Sequence, residues 1–213
     1  MRVFVRLVVT APVVMVAALS VPAGLAAVQQ QAAALTAADA DRFERKYQDI
    51  NRYGAQTQGQ AFRPDRARRT VLTEAETNSY LRFKSQRDMP KGMVDPCISA
   101  LGGGRLTATA VLDLDAVRQS SDRGSFDLIQ LLSGRLPVTL TGVLRTRNGI
   151  ATFGLESSSI AGIPVPKMLL QQVVAYYSRS PEHPNGIGLD DQFVMPFGIR
   201  EIDVQLRQAV VVQ

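Results

Sequence analysis

The chain has 213 residues, of which 46% are hydrophobic, and carries 24 Lys and Arg against 19 Asp and Glu. This mild basic excess is not gathered into a stripe, so the composition does not indicate nucleic-acid binding. One cysteine, Cys97, cannot form an internal disulfide, and one cysteine with one histidine, His183, cannot build a zinc site of the usual kind.

Residues 1–27 have the pattern of a secretory signal peptide. A basic start and an apolar run lead to small residues, with Gly24 and Ala26 at the −3 and −1 positions of a cleavage site. We expect cleavage near Ala26 or Ala27 and export to the periplasm or the exterior of a bacterial cell. The alternative is an uncleaved N-terminal anchor, because the run approaches the roughly 20 residues that span a bilayer. The leader contains no cysteine for lipoprotein attachment.

Residues 28–70 are predicted to form an N-terminal helix followed by a linker. Between 37 and 53, apolar residues recur at helical spacing, namely Ala40, Phe43, Tyr47 and Ile50. The following stretch, 54–69, is rich in Arg, Gln and Gly, a composition that is typical of a linker. We therefore expect this helix to be loosely attached to the main domain, 71–213.

The main domain is predicted to be α+β with an antiparallel sheet. Thr73 and Glu76 form a capping-box pattern that starts a helix running to about residue 86. Residues 93–104 are rich in turn formers and predict a connector. Residues 105–118 alternate as a half-buried strand does, with one apolar face made of Leu106, Ala108, Ala110, Leu112 and Leu114.

A hairpin and a covering helix are the clearest pattern in the chain. Apolar side chains at Val138, Leu140 and Leu144 share one face of a strand that ends at an Asn-Gly turn, residues 148–149. A second strand follows over 150–160, and a helix after Pro166 is expected to cover the apolar face. A short helix or turn is predicted at 126–132, and a second hairpin turning near residues 207–208.

The sequence predicts no catalytic residue, metal site or cofactor. Gly102 to Gly104 lack the Lys-Ser/Thr of a phosphate loop, and no Gly-x-Ser-x-Gly nucleophile motif is present. Asp113 and Asp115 are expected to face solvent on an alternating strand. A hydrolase with an unrecognised site, using Asp113 or His183, is a further hypothesis.

Three segments carry a resemblance to a known family. They are LTEAETNSYL at 72–81, SIAGIPVPKMLL at 159–170 and MPFGIREI at 195–202. In this order, with long alternating strands between the first two, they resemble bacterial exported domains of the tubular lipid-binding (TULIP) type, over about residues 71–213. The resemblance implies a curved antiparallel sheet wrapped around or covered by helices, with an apolar tube or groove inside.

The function predicted from these features is binding of a lipid or other apolar ligand by an exported protein that is not an enzyme. The ligand would lie in a groove between sheet and helices, lined by Leu81, Leu112, Leu114, Leu140, Leu144, Phe153, Leu155, Leu169 and Val173. The same side chains could instead fill an ordinary core. The alternative is therefore a cell-envelope interaction or assembly protein that docks a protein partner by its sheet edge or N-terminal helix. Membrane contact is expected to be peripheral at most.

Overall fold

The structure is a computed structural model that describes residues 34–59, 62–89, 92–116, 134–177, 184–186 and 188–213, without the side chains of residues 172, 173, 176 and 177. The predicted signal peptide, the predicted helix at 126–132 and His183 lie outside these residues. No helix in the described ranges is long and apolar enough to cross a membrane.

The described strands form two antiparallel sheets, so the α+β class with a large antiparallel sheet is confirmed. The longer helices of the described residues are α1 (Ala37–Gln56), α2 (Glu74–Phe83) and α3 (Lys167–Tyr177). The strands are β1 (Arg69–Thr73), β2 (Met93–Gly102), β3 (Arg105–Asp113), β4 (Arg135–Arg147), β5 (Ile150–Ile160), β6 (Ile163–Pro164), β7 (Phe193–Val194), β8 (Glu201–Gln205) and β9 (Gln208–Val212). The larger sheet has the order β2-β3-β4-β5-β6 with β7 also paired to β5, and the smaller has the order β1-β9-β8.

The β4–β5 hairpin and its covering helix agree with the prediction. Asn148 and Gly149 have φ angles of 52° and 85°, the left-handed values that a two-residue hairpin turn needs. Along β4, Val138 and Leu140 are buried while the residues on either side of each are more exposed. From α3, Leu170 packs against Leu140 and closes this part of the apolar face.

The prediction of a turn-rich connector at 93–104 is wrong, because most of it forms β2. The register shifts between Val94 and Cys97, and Asp95 has a φ of 48° at this irregularity. Pro96 lies within the shift, where the missing proline N–H breaks no regular ladder bond. Because β2 is an edge strand of the larger sheet, it accepts a proline that a central strand would not.

The smaller sheet lies across one end of the larger sheet. Hydrogen bonds in order along residues 200–207, which contain β8, join this segment to the β4–β5 turn, the end of β4, the β2–β3 turn and β2: Gly149 N to Arg200 O (3.0 Å), Ile202 N to Thr146 Oγ1 (2.9 Å), Gly104 N to Val204 O (3.1 Å) and Arg207 N to Ala100 O (2.8 Å). Residues 200–207, which contain β8, therefore run past the end of β4, the turn between β2 and β3, and β2. This crossing closes one end of the space between the sheets.

Helix α1 is part of the core, so the prediction of a loosely attached helix is wrong. Ala40 and Ile50 are 0% and 1% exposed. A Cβ on Gly54 would lie 2.1 Å from the Phe197 carbonyl oxygen, which shows how closely the helix backbone approaches the loop before β8. Gln213 fixes the same junction, because its Nε2 donates to the carbonyls of Ile50 (2.8 Å) and Phe197 (2.7 Å).

The predicted capping box at the start of α2 is confirmed, and it also ties α2 to α1. Thr73 Oγ1 accepts from Glu76 N, and Glu76 Oε2 accepts from Thr73 N. Lys46 of α1 places its Nζ 2.7 Å from the Glu76 carboxylate and 2.8 Å from the Val71 carbonyl. Burial alone would raise the pKa of Glu76, but the bonds from Lys46 and Thr73 outweigh it and hold this pKa below its ordinary value.

Candidate ligand-binding cavity

A cavity of about 260 Å³ lies between the two sheets and the helices α1 and α2. Its volume lies just below the roughly 300–1,000 Å³ range of ligand pockets. Most of its lining is apolar. Among the described residues that line it, Asp191 alone is exposed to solvent, so we place the mouth of the cavity beside Asp191.

The larger sheet forms one wall of the cavity. Strand alternation sends Leu106 and Ala108 of β3 to the same face, and Leu140 and Leu144 of β4 beside them. Small side chains at Ala100, Ala108 and Ala151 leave room that larger residues would occupy.

Gly142 lets the Phe153 ring pack directly against the sheet. A Cβ at position 142 would lie 2.4 Å from Phe153 Cζ, so no side chain fits there without displacing the ring. The register of β4 and β5 shifts between Thr141 and Gly142. The glycine and this irregularity together set the position of the ring that lines the cavity.

Helices α1 and α2 and the smaller sheet form the opposite wall. Phe43 and Tyr47 of α1 meet Tyr80 and Leu81 of α2, and the Phe43 and Tyr80 rings lie 4.7 Å apart, centroid to centroid. Burial, followed by the nearby carboxylates of Glu44 and Asp88, raises the pKa of Tyr80. The smaller sheet contributes Leu72, Ile202, Val204, Ala209 and Val211.

The structure brings four of the nine residues predicted as groove lining to the cavity wall. These are Leu81, Leu140, Leu144 and Phe153. They come from α2, β4 and β5, so the predicted sheet-and-helix arrangement places them around one space. Ligand binding by these residues stays a prediction.

The other predicted residues lie elsewhere. Leu112 and Leu169 pack against a separate cluster around Val138 and Ile160, and Leu155 packs on the Leu140 and Leu170 cluster. Leu114 is 2% exposed, but it begins a helical turn just after β3 ends. The side chain of Val173 lies outside the described part of the structure.

Several residues that line the cavity are absent from the predicted set, because the sequence patterns assign their segments to a loosely attached helix or to a connector. Phe43 and Tyr47 are visible in the sequence as a helical stripe, but that helix was expected to be loosely attached. Ile98 and Ala100 belong to β2, which was predicted as a connector. The apolar positions Ile202 and Val204 alternate as expected for a strand, yet nothing in the sequence shows that their strand crosses the end of the larger sheet.

Polar groups occur at two places in the lining. At one end, Glu74 Oε2 accepts from Ala100 N (3.0 Å), and the Thr77 hydroxyl donates to the Thr73 carbonyl (2.9 Å). Gln208 lies at this end as well. At the mouth, Asp191 Oδ2 accepts from Gly188 N at 2.5 Å.

Of the reactive side chains considered from the sequence, the described ones, Cys97, Asp113 and Asp115, are not among the residues that line this cavity. Burial, and secondarily the charge of Glu74, raises the pKa of the half-buried Cys97 thiol. Asp113 accepts from Ala116 N, which holds the pKa of its carboxyl below the ordinary value, and Arg135 on the neighbouring strand lowers it further. Within the described ranges, no three His, Cys, Asp or Glu side chains are grouped so that they could hold a metal ion.

Comparison of this chain with family models, curated proteins and solved structures gives no match. The features that bear on function are therefore physical ones. They are the volume of the cavity, its apolar walls and the few polar groups at its ends.

Proposed function

We propose that this chain is an exported, non-enzymatic protein that holds a lipid or other apolar ligand in the cavity between its sheets and helices. The observation that carries the proposal is the cavity itself, which is lined mainly by apolar side chains and has an exposed residue, Asp191, at its edge. A core that only stabilised the fold would be close-packed and would leave few voids larger than a water molecule.

The volume indicates the size of the ligand. At about 30 Å³ for each water-sized group, a volume of about 260 Å³ holds roughly nine groups, the bulk of a medium-length acyl chain. Burial of nine methylenes contributes about 7 kcal/mol at about 0.8 kcal/mol each, before the cost of association is subtracted. We therefore expect affinities in the micromolar range or weaker for a simple chain.

The TULIP-type resemblance supports the same proposal. The first resembling segment, 72–81, covers the end of β1 and most of α2, which contribute Leu72, Tyr80 and Leu81 to the cavity. The second, 159–170, runs from β5 into α3, and its Leu170 packs on the sheet. We propose on this basis a tubular lipid-binding arrangement, in which an antiparallel sheet and helices enclose the ligand. The signal-peptide pattern at 1–27 supports export.

The alternative function, docking of an envelope protein, is favoured by one exposed apolar pair. Val194 of β7 and Ile150 of β5 are cross-strand neighbours and are 81% and 44% exposed. Apolar side chains paired on a sheet surface suit contact with another protein. Cross-linking in whole envelopes that disappears with Val194→Asp, in a protein that takes up no apolar probe, would favour this alternative.

Uptake of a neutral fluorescent probe, N-phenyl-1-naphthylamine, tests the proposed function. Ala108→Phe adds a ring of six carbons to a space for roughly nine groups, so we expect it to abolish the rise in probe fluorescence. Thr109→Phe is the matched control, because Thr109 is exposed on the opposite face of the same strand. Equal uptake by both variants, or no uptake by the unmodified chain, would contradict the proposal.

A further inference from the structure

The polar end of the cavity is built from three neighbouring side chains. Thr73 pairs with Gln208 in the β1–β9 register, and Glu74 follows Thr73 at the first position of α2. Thr77 lies three residues after Glu74 and hence on the same side of the helix. All three of Glu74, Thr77 and Gln208 line the cavity.

These groups offer a ligand mainly hydrogen-bond acceptors. Glu74 Oε2 accepts from Ala100 N, and no other protein group in the described ranges donates to the carboxylate. The Thr77 hydroxyl donates its only hydrogen to the Thr73 carbonyl. The Thr77 hydroxyl oxygen can therefore only accept a hydrogen bond from a ligand. Gln208 donates one amide hydrogen to Gln205 Oε1 at 2.7 Å.

An anionic head group would find poor partners at this end. Of the first three N–H groups of α2, which a helix start could offer to an anion, those of Glu74 and Glu76 already donate to Arg207 O (2.9 Å) and Thr73 Oγ1 (3.2 Å). The described lining contains no Lys, Arg or His, and a second carboxylate, Asp191, lies at the mouth. A ligand carboxylate would therefore approach like charges both on entry and at the polar end.

From this arrangement we infer that the cavity takes a single-chain amphiphile with a cationic amine head, and that Glu74 sets the preference for the amine. The inference rests on the proposed function and adds the chemistry of the ligand's polar end. An ammonium group supplies donors to Glu74, Thr77 and Gln208. Apolar walls strengthen its attraction to the carboxylate, because they exclude water from around the charge pair.

Displacement of N-phenyl-1-naphthylamine by three ten-carbon ligands tests this inference. Decylamine, decan-1-ol and decanoate share one chain and differ in the head group, and at neutral pH they are cationic, neutral and anionic. We expect decylamine to displace the probe at about tenfold lower concentration than decan-1-ol, because a hydrogen bond between two charged groups is stronger than one from a neutral hydroxyl. Decanoate should be the weakest of the three.

Glu74→Gln tests the role assigned to the carboxylate. It removes the charge and keeps an oxygen that can accept from Ala100 N, so we expect decylamine and decan-1-ol to differ by less than about threefold in this variant. A far-UV circular dichroism spectrum and a melting temperature equal to those of the unmodified chain would show that the fold is intact. Glu156→Gln is the matched control, because Glu156 is an exposed carboxylate paired with Arg105, and it should keep the full preference.

The outcomes separate this inference from the proposed function. If decan-1-ol binds but decylamine is not preferred, or if Glu74→Gln leaves the preference unchanged, the inference is overturned and the proposed function stands. If neither the neutral probe nor any of the three ligands binds, both are overturned.

Discussion

Replacing Ile50 by Ala tests whether α1 is a structural part of the core. Ile50 is 1% exposed and belongs to the cluster that contains Phe43, Tyr47 and Ile199. The substitution deletes three carbons, worth about 2.4 kcal/mol at about 0.8 kcal/mol per carbon, and leaves a void that adds to the cost. We expect the free energy of unfolding to fall by about 3–4 kcal/mol, within the range of buried Ile→Ala changes.

Equilibrium urea denaturation followed by circular dichroism measures this loss. The melting temperature should fall by about 6–16 °C, because 1 kcal/mol corresponds to about 2–4 °C in a domain of this size. Gln48→Ala is the control on the exposed side of the same helix, and should change stability by less than about 0.5 kcal/mol. If Ile50→Ala costs no more than Gln48→Ala, α1 is loosely attached and the reasoning from burial is refuted.

Three further predictions concern the charge pair, the thiol and the sheet irregularity. Glu76→Gln should cost about 1–3 kcal/mol at neutral pH, because Lys46 loses a charged partner. Since the folded pKa of Glu76 lies below the ordinary value of 4.5, this contribution is present above that value and is lost as the pH falls through the lowered folded pKa. Urea titrations across that range should show that the difference in free energy of unfolding between Glu76→Gln and the unmodified chain shrinks as the pH falls. A difference that does not depend on pH would contradict the role given to the Glu76 carboxylate. Cys97 should react with iodoacetamide at neutral pH at least about tenfold more slowly than a free thiol, because burial raises its pKa and limits access. Reaction at the free-thiol rate in the folded protein would show that the thiol is not buried. Gly142→Ala should lower stability by about 1–3 kcal/mol, because its Cβ would lie 2.4 Å from Phe153 Cζ and 2.7 Å from the Gly154 carbonyl oxygen. An unchanged melting temperature of Gly142→Ala would show that the Phe153 ring moves aside without loss of stability.

Local patterns in the sequence predicted the local elements well. Each of these features depends on residues that are close together in the sequence. They are the Asn148–Gly149 turn, the alternation along β4 and the Thr73–Glu76 capping box. Their physics is short-range, so a single sequence is enough to read them. The C-terminal hairpin between β8 and β9 was predicted for the same reason.

Features that depend on contacts between distant segments could not be read in this way. β2 contains an Asp-Pro pair that normally marks a turn, and its strand character comes from pairing with β3 and from its edge position. The docking of α1 depends on Gln213 reaching Ile50 across most of the chain. The cavity depends on β8 crossing the ends of β4 and β2 and the turn between β2 and β3, which no periodicity encodes.

The acceptor character of the polar end was equally hidden in the sequence. Glu74 reads there as an ordinary acidic residue in the first turn of a helix, where it is favoured by the helix dipole. Its place in the cavity follows from the position of Ala100 on β2 and of Gln208 on β9. The candidate site was therefore predictable as apolar, but its polar chemistry was not.

Native mass spectrometry of the purified chain, before and after extraction with organic solvent, tests most directly whether the cavity holds a ligand. We predict a species heavier than the chain by one small apolar molecule, lost on extraction and restored by adding a ten-carbon amphiphile in a one-to-one ratio. The Ala108→Phe variant should carry no such adduct. A bare chain mass under all these conditions, with no adduct after addition of amphiphile, would contradict the account.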